Sequence, residues 1–316
     1  MAMAANNNDK VSIVGAGNVG AMLAQRLLEH DLSDVVLVDI DEGLSRGKAC
    51  DLQDASPIIG CEKEVIGTSD YSIIEGSDIV VITAGLPRKP GMTREDLIQK
   101  NAAIIRDVAS QVRKFAPQSI VIVVTNPLDI MAFLAYKLLG FEANKVLGMA
   151  GVLDSARCSN IAAEELGIAR TEIDSVVIGS HDTNMVPLLR FSQAQGTALD
   201  SILDNEKKAS LTEKVKRRGA EIVSLLKSGS AFFAPSAACF SMIKSILKNE
   251  HLTQCASVLL NGEYGLRDIF IGVPVVLGRT GIEKIIELEL TRKEREKLKN
   301  AADAIKKSVI SLNIQP

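Results

Sequence analysis

Between Val11 and Asn126 one unit recurs: an apolar, β-branched run, a glycine or polar turn, then a helical period. The runs are VSIVGAG from Val11, VVLVDI from Val35, DIVVITAG from Asp78 and SIVIVVTN from Ser119. A strand with no polar alternation has to be buried on both faces, which a parallel sheet flanked by crossover helices provides. The pattern therefore predicts a doubly wound α/β domain. Residues 18–30 and 93–115 read as the amphipathic crossovers; in the second, Leu97, Ile104, Ile105, Val108, Val112 and Phe115 share a face.

Past Gly148 the grammar changes. A long helix over 152–166, a strand ending at Gly179, helices over 211–227 and 235–248, and the strand-like runs SVLLNGEYG and IFIGVPVVLG indicate a second, mixed α/β domain. The closing helix starts with Thr291 and Glu294 in a capping box and carries Leu298, Ala302, Ile305 and Val309 on one stripe. The expected division is residues 1–149, a dinucleotide-binding domain whose first nine residues form a flexible tail, and residues 150–316, a substrate domain. Chemistry is expected in the cleft between them.

Composition narrows the partners. The 316 residues carry 36 Lys and Arg against 39 Asp and Glu, a net charge of −3, which offers nucleic acid or an anionic membrane no electrostatic attraction. Apolar runs such as Ile130 to Tyr136 fall far short of the ~18 residues of a membrane helix, and the first residues lack the basic and apolar segments of a signal peptide. Cys50, Cys61, Cys158, Cys239 and Cys255 form no CxxC pair and fit reduced thiols in a cytoplasmic protein. With three histidines, His30, His181 and His251, no metal site is expected.

Gly15, Gly17 and Gly20 make a GxGxxG that follows the first strand and opens the first helix. Such a turn lets a backbone approach a pyrophosphate, and the helix N-terminus supplies free N–H groups and a positive dipole end. The segment Gly15, Ala16, Gly17, Asn18, Val19 and Gly20 is therefore the expected phosphate cradle. Asp39, 19 residues beyond Gly20 at the end of the second strand, can accept from both ribose hydroxyls and would repel a 2′-phosphate, which favours NAD over NADP. The basic loop AGLPRKPGMTRED and the segment Thr125-Asn126-Pro127 both leave strands at the ligand-binding edge. Asp154 and Arg157 stand three apart on one helix face, and His181 follows a strand. Taken singly, a basic loop is usually solvated surface, an Asp/Arg pair is more often a surface salt bridge, and a lone His is more often structural.

Taken together, GAGNVG, VLVDID, TAGLPRKPGMTR, VTNPLD, GMAGVLDSAR, the His181 segment ending in MVPL and GSAFFAP resemble the lactate/malate dehydrogenases, in the same order and at about the same spacing. The RKPGMTR loop is similar to that of the malate dehydrogenases of the lactate-dehydrogenase-like group. The resemblance implies a two-pronged contact of Arg157 with the carboxylate beside the reacting carbon. Arg94 would polarise the substrate carbonyl when its loop closes, and Arg88, where lactate enzymes carry glutamine, would pair with the distal carboxylate of a dicarboxylic acid. His181 would be the acid/base, with Asp154 holding its tautomer. Asn126 would contact substrate, and the backbone of Val124 and Thr125 and the side chain of Asn101 would lie near the cofactor. The activity implied is reversible hydride transfer between (S)-malate and oxaloacetate in the tricarboxylic acid cycle, by a homotetramer or alternatively a dimer. Rival readings are a lactate dehydrogenase and a non-catalytic NAD-binding homologue.

The sequence departs from the family at one place. Where the family reads His-Gly-Asp, this chain has His181-Asp182-Thr183-Asn184. A carboxylate within about 4 to 6 Å of the imidazole would raise its pKa; alternatively Asp182 points to solvent or caps a turn, for which the left-handed conformation tolerated by Asp is suited.

Overall fold

The computed structural model describes residues 9–87, 92–310 and 312. Arg88, expected to meet the distal carboxylate, lies outside the described residues. The strands are β1 (Lys10–Val14), β2 (Asp34–Val38), β3 (Val65–Thr68), β4 (Ile79–Ile82), β5 (Ile120–Val123) and β6 (Val146–Gly148). Short strands β7 (Ile173–Asp174), β8 (Val177–Ile178), β9 (Val186–Pro187), β10 (Gln193–Ala194) and β11 (Thr197–Ala198) follow, then β12 (Leu252–Asn261), β13 (Arg267–Gly278) and β14 (Gly281–Ile285). The helices are α1 (Asn18–Glu29), α2 (Glu42–Ile59), α3 (Arg94–Phe115), α4 (Leu128–Leu139), α5 (Gly151–Leu166), α6 (Leu199–Ile202), α7 (Asn205–Leu226), α8 (Phe233–Leu247) and α9 (Arg292–Ile310).

The main sheet has the order β14-β13-β12-β6-β5-β4-β1-β2-β3. From β3 to β6 every pairing is parallel, as the continuous apolar runs require. The order reverses between β1 and β4, and ligands of such sheets sit beyond the strand C-termini at that switch point. The sheet then continues: β12 pairs antiparallel with β6 through Ser257 and Gly148, and β13 and β14 add antiparallel strands. One sheet thus crosses the expected boundary near residue 149, and its core joins residues of both halves. A smaller apolar cluster, including Cys158, Ile161, Leu211 and Val215, packs α5 against α7.

Local chemistry sets the helices that carry the site. The Thr93 hydroxyl accepts from the Asp96 N–H and the Asp96 carboxylate accepts from the Thr93 N–H, both at 3.0 Å, a capping box that starts α3 at Arg94. Such caps are worth about 1 kcal/mol each. Helix α2 has almost no apolar stripe to read, because its buried residues are Ser45, Ala49 and Ser56. These small residues let it lie close on β3, where a Cβ on Gly67 would strike the Ser45 carbonyl. Asp9, the last residue of the expected tail, is anchored: its carboxylate accepts from Arg279 at 2.8 Å and its carbonyl from Asp34 N–H at 2.9 Å. Among the described residues no helix is long and apolar enough to cross a membrane, and no three or more His, Cys, Asp or Glu residues are grouped to hold a metal ion.

Candidate active site

Three loops leave the C-terminal edge of β1, β4 and β5 and are bonded to one another. The Thr83 hydroxyl donates to the Gly15 carbonyl at 2.9 Å, and the Thr125 hydroxyl donates to the Ala84 carbonyl at 2.7 Å. Asn101, fully buried on α3, donates to the carbonyls of Leu86 and Asn126 at 3.2 and 2.6 Å and accepts from Leu86 N–H at 2.8 Å. Its amide therefore ties the β4 loop to the β5 loop. Val124 and Thr125 are buried, and Asn126 is exposed at the mouth of the edge.

The glycine loop shows why its residues are what they are. Gly15 has φ +112°, and a Cβ there would stand 2.6 Å from the Thr83 hydroxyl and 2.7 Å from the Ala84 nitrogen. A Cβ on Gly20 would strike the Gly15 carbonyl, so this glycine lets α1 sit on the loop. Gly17 is different: its φ is −67°, and among the described residues no atom lies within 4 Å of its Cβ position. The folded chain has no steric need of glycine there, whereas a phosphate laid on the loop and the first turn of α1, with Asn18 and Val19, would need the space. Asp39 reaches in from β2 and accepts from Ala16 N–H at 2.7 Å and Asp41 N–H at 3.0 Å. Lys48 of α2, which sequence reading missed, donates to the Ala16 carbonyl at 2.7 Å. The helix carrying it had no apolar stripe, so nothing placed Lys48 near the loop. The loop, the helix N-terminus and the carboxylate fit a dinucleotide without a 2′-phosphate.

Across the edge, α5 brings Asp154 and Arg157 to His181. The His181 Nδ1 and an Asp154 oxygen are 2.7 Å apart, and Arg157 Nη1 donates to the other Asp154 oxygen at 3.2 Å. Asp154 is only 3% exposed and both partners 12%. The Arg157 Nε is buried with no hydrogen-bond partner among the described residues, and a buried unpaired donor of this kind is a place for an external acceptor. Burial by itself depresses the His181 pKa. The charge and hydrogen bond of Asp154 outweigh it, with Asp129 adding and Arg157 opposing, and the pKa is raised above the ordinary histidine value.

The backbone around His181 is fixed from two sides. Gly179, at φ +95°, exchanges two 2.9 Å hydrogen bonds with Gly272 of β13, and a Cβ on Gly272 would lie 2.7 Å from the Gly179 carbonyl. Asp129, at the start of α4, accepts from His181 N–H at 2.8 Å and from the Ser257 hydroxyl at 2.7 Å. Burial pushes the Asp129 carboxyl up to about 6, against the pull of those two donors. Sequence reading missed this role, since VTNPLD pointed only to the strand end.

Asp182 adopts the turn-capping alternative in part. Its Oδ1 accepts from the Ser180 hydroxyl at 2.6 Å and from the Asn184 N–H and side-chain amide at 2.8 and 3.0 Å. Its φ is not left-handed; in this stretch the positive φ belongs to Gly179. The expected benefit from a left-handed Asp is thus corrected. Its Oδ2 accepts from Arg94 Nη2 at 3.2 Å. Burial raises the Asp182 pKa, and the donors Ser180, Asn184 and Arg94 more than offset it, leaving the carboxyl below its ordinary value.

Comparison with known proteins places this arrangement. Residues 9–148 match the lactate/malate dehydrogenase NAD binding domain, and residues 151–312 the lactate/malate dehydrogenase alpha/beta C-terminal domain. A malate dehydrogenase of Methanosarcina barkeri is 48% identical over 305 residues, 96% of this chain and 99% of that one. The Cryptosporidium parvum malate dehydrogenase structure superposes with a TM-score of 0.94 at 38% identity, covering 97% of this chain and 99% of the other. The lactate dehydrogenase of the same organism, complexed with lactic acid and nicotinamide adenine dinucleotide, gives 0.94 at 36% identity, covering 98% and 99%. The chain belongs to the lactate/malate dehydrogenase family.

Proposed function

We propose that this protein is an NAD-dependent malate dehydrogenase that interconverts (S)-malate and oxaloacetate. The observation that carries the reading is the buried His181–Asp154 pair with Arg157 beside it, its Nε unpaired. The backbone from Gly15 to Gly20 cradles the pyrophosphate, Asp39 accepts from the ribose hydroxyls, and Val124, Thr125 and Asn101 line or hold the cofactor side of the β4 and β5 loops. Bound NAD supplies the hydride acceptor or, when reduced, the hydride donor. Nδ1 of His181 donates to Asp154, so Nε2 is the nitrogen that takes the hydroxyl proton in oxidation and returns it in reduction. Asp154 stabilises the imidazolium formed. Arg157 grips the carboxylate next to the reacting carbon, Asn126 contacts substrate, and Arg94 polarises the carbonyl.

Malate and lactate dehydrogenase structures superpose equally well on this chain, so substrate choice rests on sequence: the malate dehydrogenase relatives and Arg88, which meets the distal carboxylate in this reading. The domains divide at residues 149 and 150, the protein works in the cytoplasm in the tricarboxylic acid cycle, and the assembly is a homotetramer, with a dimer as the alternative. An NADH-oxidation assay with oxaloacetate and pyruvate side by side tests the reading. Turnover of oxaloacetate over pyruvate is expected; preference for pyruvate means a lactate dehydrogenase, and NADH binding without turnover of either means a non-catalytic homologue.

A further inference from the structure

Arg94 is the first residue of α3, and its side chain is 54% exposed. A long, half-solvated arginine has rotamer entropy to lose before it can serve one geometry. The structure supplies a restraint. Asp182 is immobilised through Oδ1 by three donors, the Ser180 hydroxyl and both Asn184 groups, and this aims Oδ2 outward at Arg94. Among the described residues the contact is made through Nη2, and a guanidinium has five N–H donors in a rigid fork, so it can serve a second acceptor while the anchor is kept. The anchor is also next in sequence to His181.

We propose that Asp182 is a positioning residue that holds Arg94 beside His181, so that the guanidinium is already ordered when the substrate carbonyl arrives. This rests on the reading of Arg94 as the carbonyl-polarising group. The bond to Asp182 is kept as substrate binds, because one edge of the fork serves the anchor and the other the carbonyl oxygen. Its removal therefore acts on kcat rather than on substrate or cofactor affinity.

The test is a double-mutant cycle of Asp182→Asn and Arg94→Ala, measured as oxaloacetate reduction, NADH affinity by fluorescence and melting temperature. Asparagine can still accept from Ser180 and Asn184 but loses the charge. The expected result for Asp182→Asn is a loss of about three- to tenfold in kcat, with KM, NADH affinity and melting temperature close to the parent. In the Arg94→Ala background the same change should cost nothing further. Raising NaCl from about 0.05 to about 0.5 M should bring the parent kcat toward that of Asp182→Asn, because a half-exposed pair is screened. Asp182→Gly, which also removes the turn contacts, should lose at least as much kcat. If Arg94→Ala is severely impaired while Asp182→Asn keeps the parent kcat, or changes KM alone, the positioning role is overturned and the reading of Arg94 stands. An equal loss on either Arg94 background overturns it too, since Asp182 then acts by shaping the turn. If Arg94→Ala keeps full turnover, the reading of Arg94 itself falls, and the proposal with it.

Discussion

Replacing Asp154 with Asn tests the acid/base pair most directly. The carboxylate is 3% exposed and serves two partners, His181 at 2.7 Å and Arg157 at 3.2 Å. An asparagine leaves burial and the Arg157 charge acting on the imidazole, and both of these lower its pKa. Breaking a buried pair costs about 3 to 5 kcal/mol. Part of that cost falls on the imidazolium, so the His181 pKa should fall once the Asp154 charge is gone. Reduction needs the imidazolium as acid, and that form disappears as pH rises through the pKa, so the reduction profile should lose its alkaline side at lower pH than the parent. Oxidation needs the neutral ring, so its acid limb should move to lower pH as well. The amide can also hold the wrong tautomer, so the pH-independent kcat should drop by about two orders of magnitude or more. The assay is a pair of pH–rate profiles, with NADH fluorescence titration to confirm that cofactor binding is spared. Profiles that superimpose on those of the parent, with kcat within a few fold, would refute the assignment of Asp154 as the partner that governs His181.

Gly17→Ala should fold with the parent melting temperature and lose NADH affinity, whereas Gly20→Ala should lower the melting temperature because its Cβ runs into the Gly15 carbonyl; equal melting temperatures for the two would be contrary to this account. Asp39→Ala should lower NADH affinity and erase most of the discrimination against NADPH, since this half-buried carboxylate would face and repel a 2′-phosphate; unchanged cofactor preference in steady-state assays counts against it. Arg88→Gln should lower oxaloacetate kcat/KM by roughly two orders of magnitude, from about 2 to 5 kcal/mol for stranding a desolvated carboxylate, and improve pyruvate relative to oxaloacetate in the same assay. Asp129, with its carboxyl raised to about 6, binds a proton in the folded state that the unfolded chain releases, so it contributes stability progressively as pH falls through about 6 to the ordinary carboxyl value of 3.8. Up to about 3 kcal/mol of that gain should vanish in Asp129→Asn, read as a flatter dependence of urea midpoint on pH; an unchanged slope removes Asp129 as its source.

Much of this protein follows from local rules. Continuous apolar runs called for strands buried on both faces, and β1, β2, β4 and β5 are parallel and buried. The Thr93 and Thr291 boxes set helix starts through bonds spanning three residues. Gly15 and Gly20 were readable because a left-handed backbone at Gly15 and the Gly15 carbonyl against Gly20 leave a direct mark on residue type. The resemblance to a family ordered His181, Asp154, Arg157 and Arg94 before any geometry was available. Helix α2 escaped because close packing of Ser45, Ala49 and Ser56 leaves no apolar period. What only the tertiary structure decided are contacts between residues distant in the chain: the single sheet joined through Gly148 and Ser257, Lys48 on the Ala16 carbonyl, Asp129 beneath His181, and Asp182 turned toward Arg94. Each depends on groups distant in the chain arriving close to one another, and a carboxylate in a sequence carries no mark of which donor it will meet; that is set by burial and by the strands and helices that aim it.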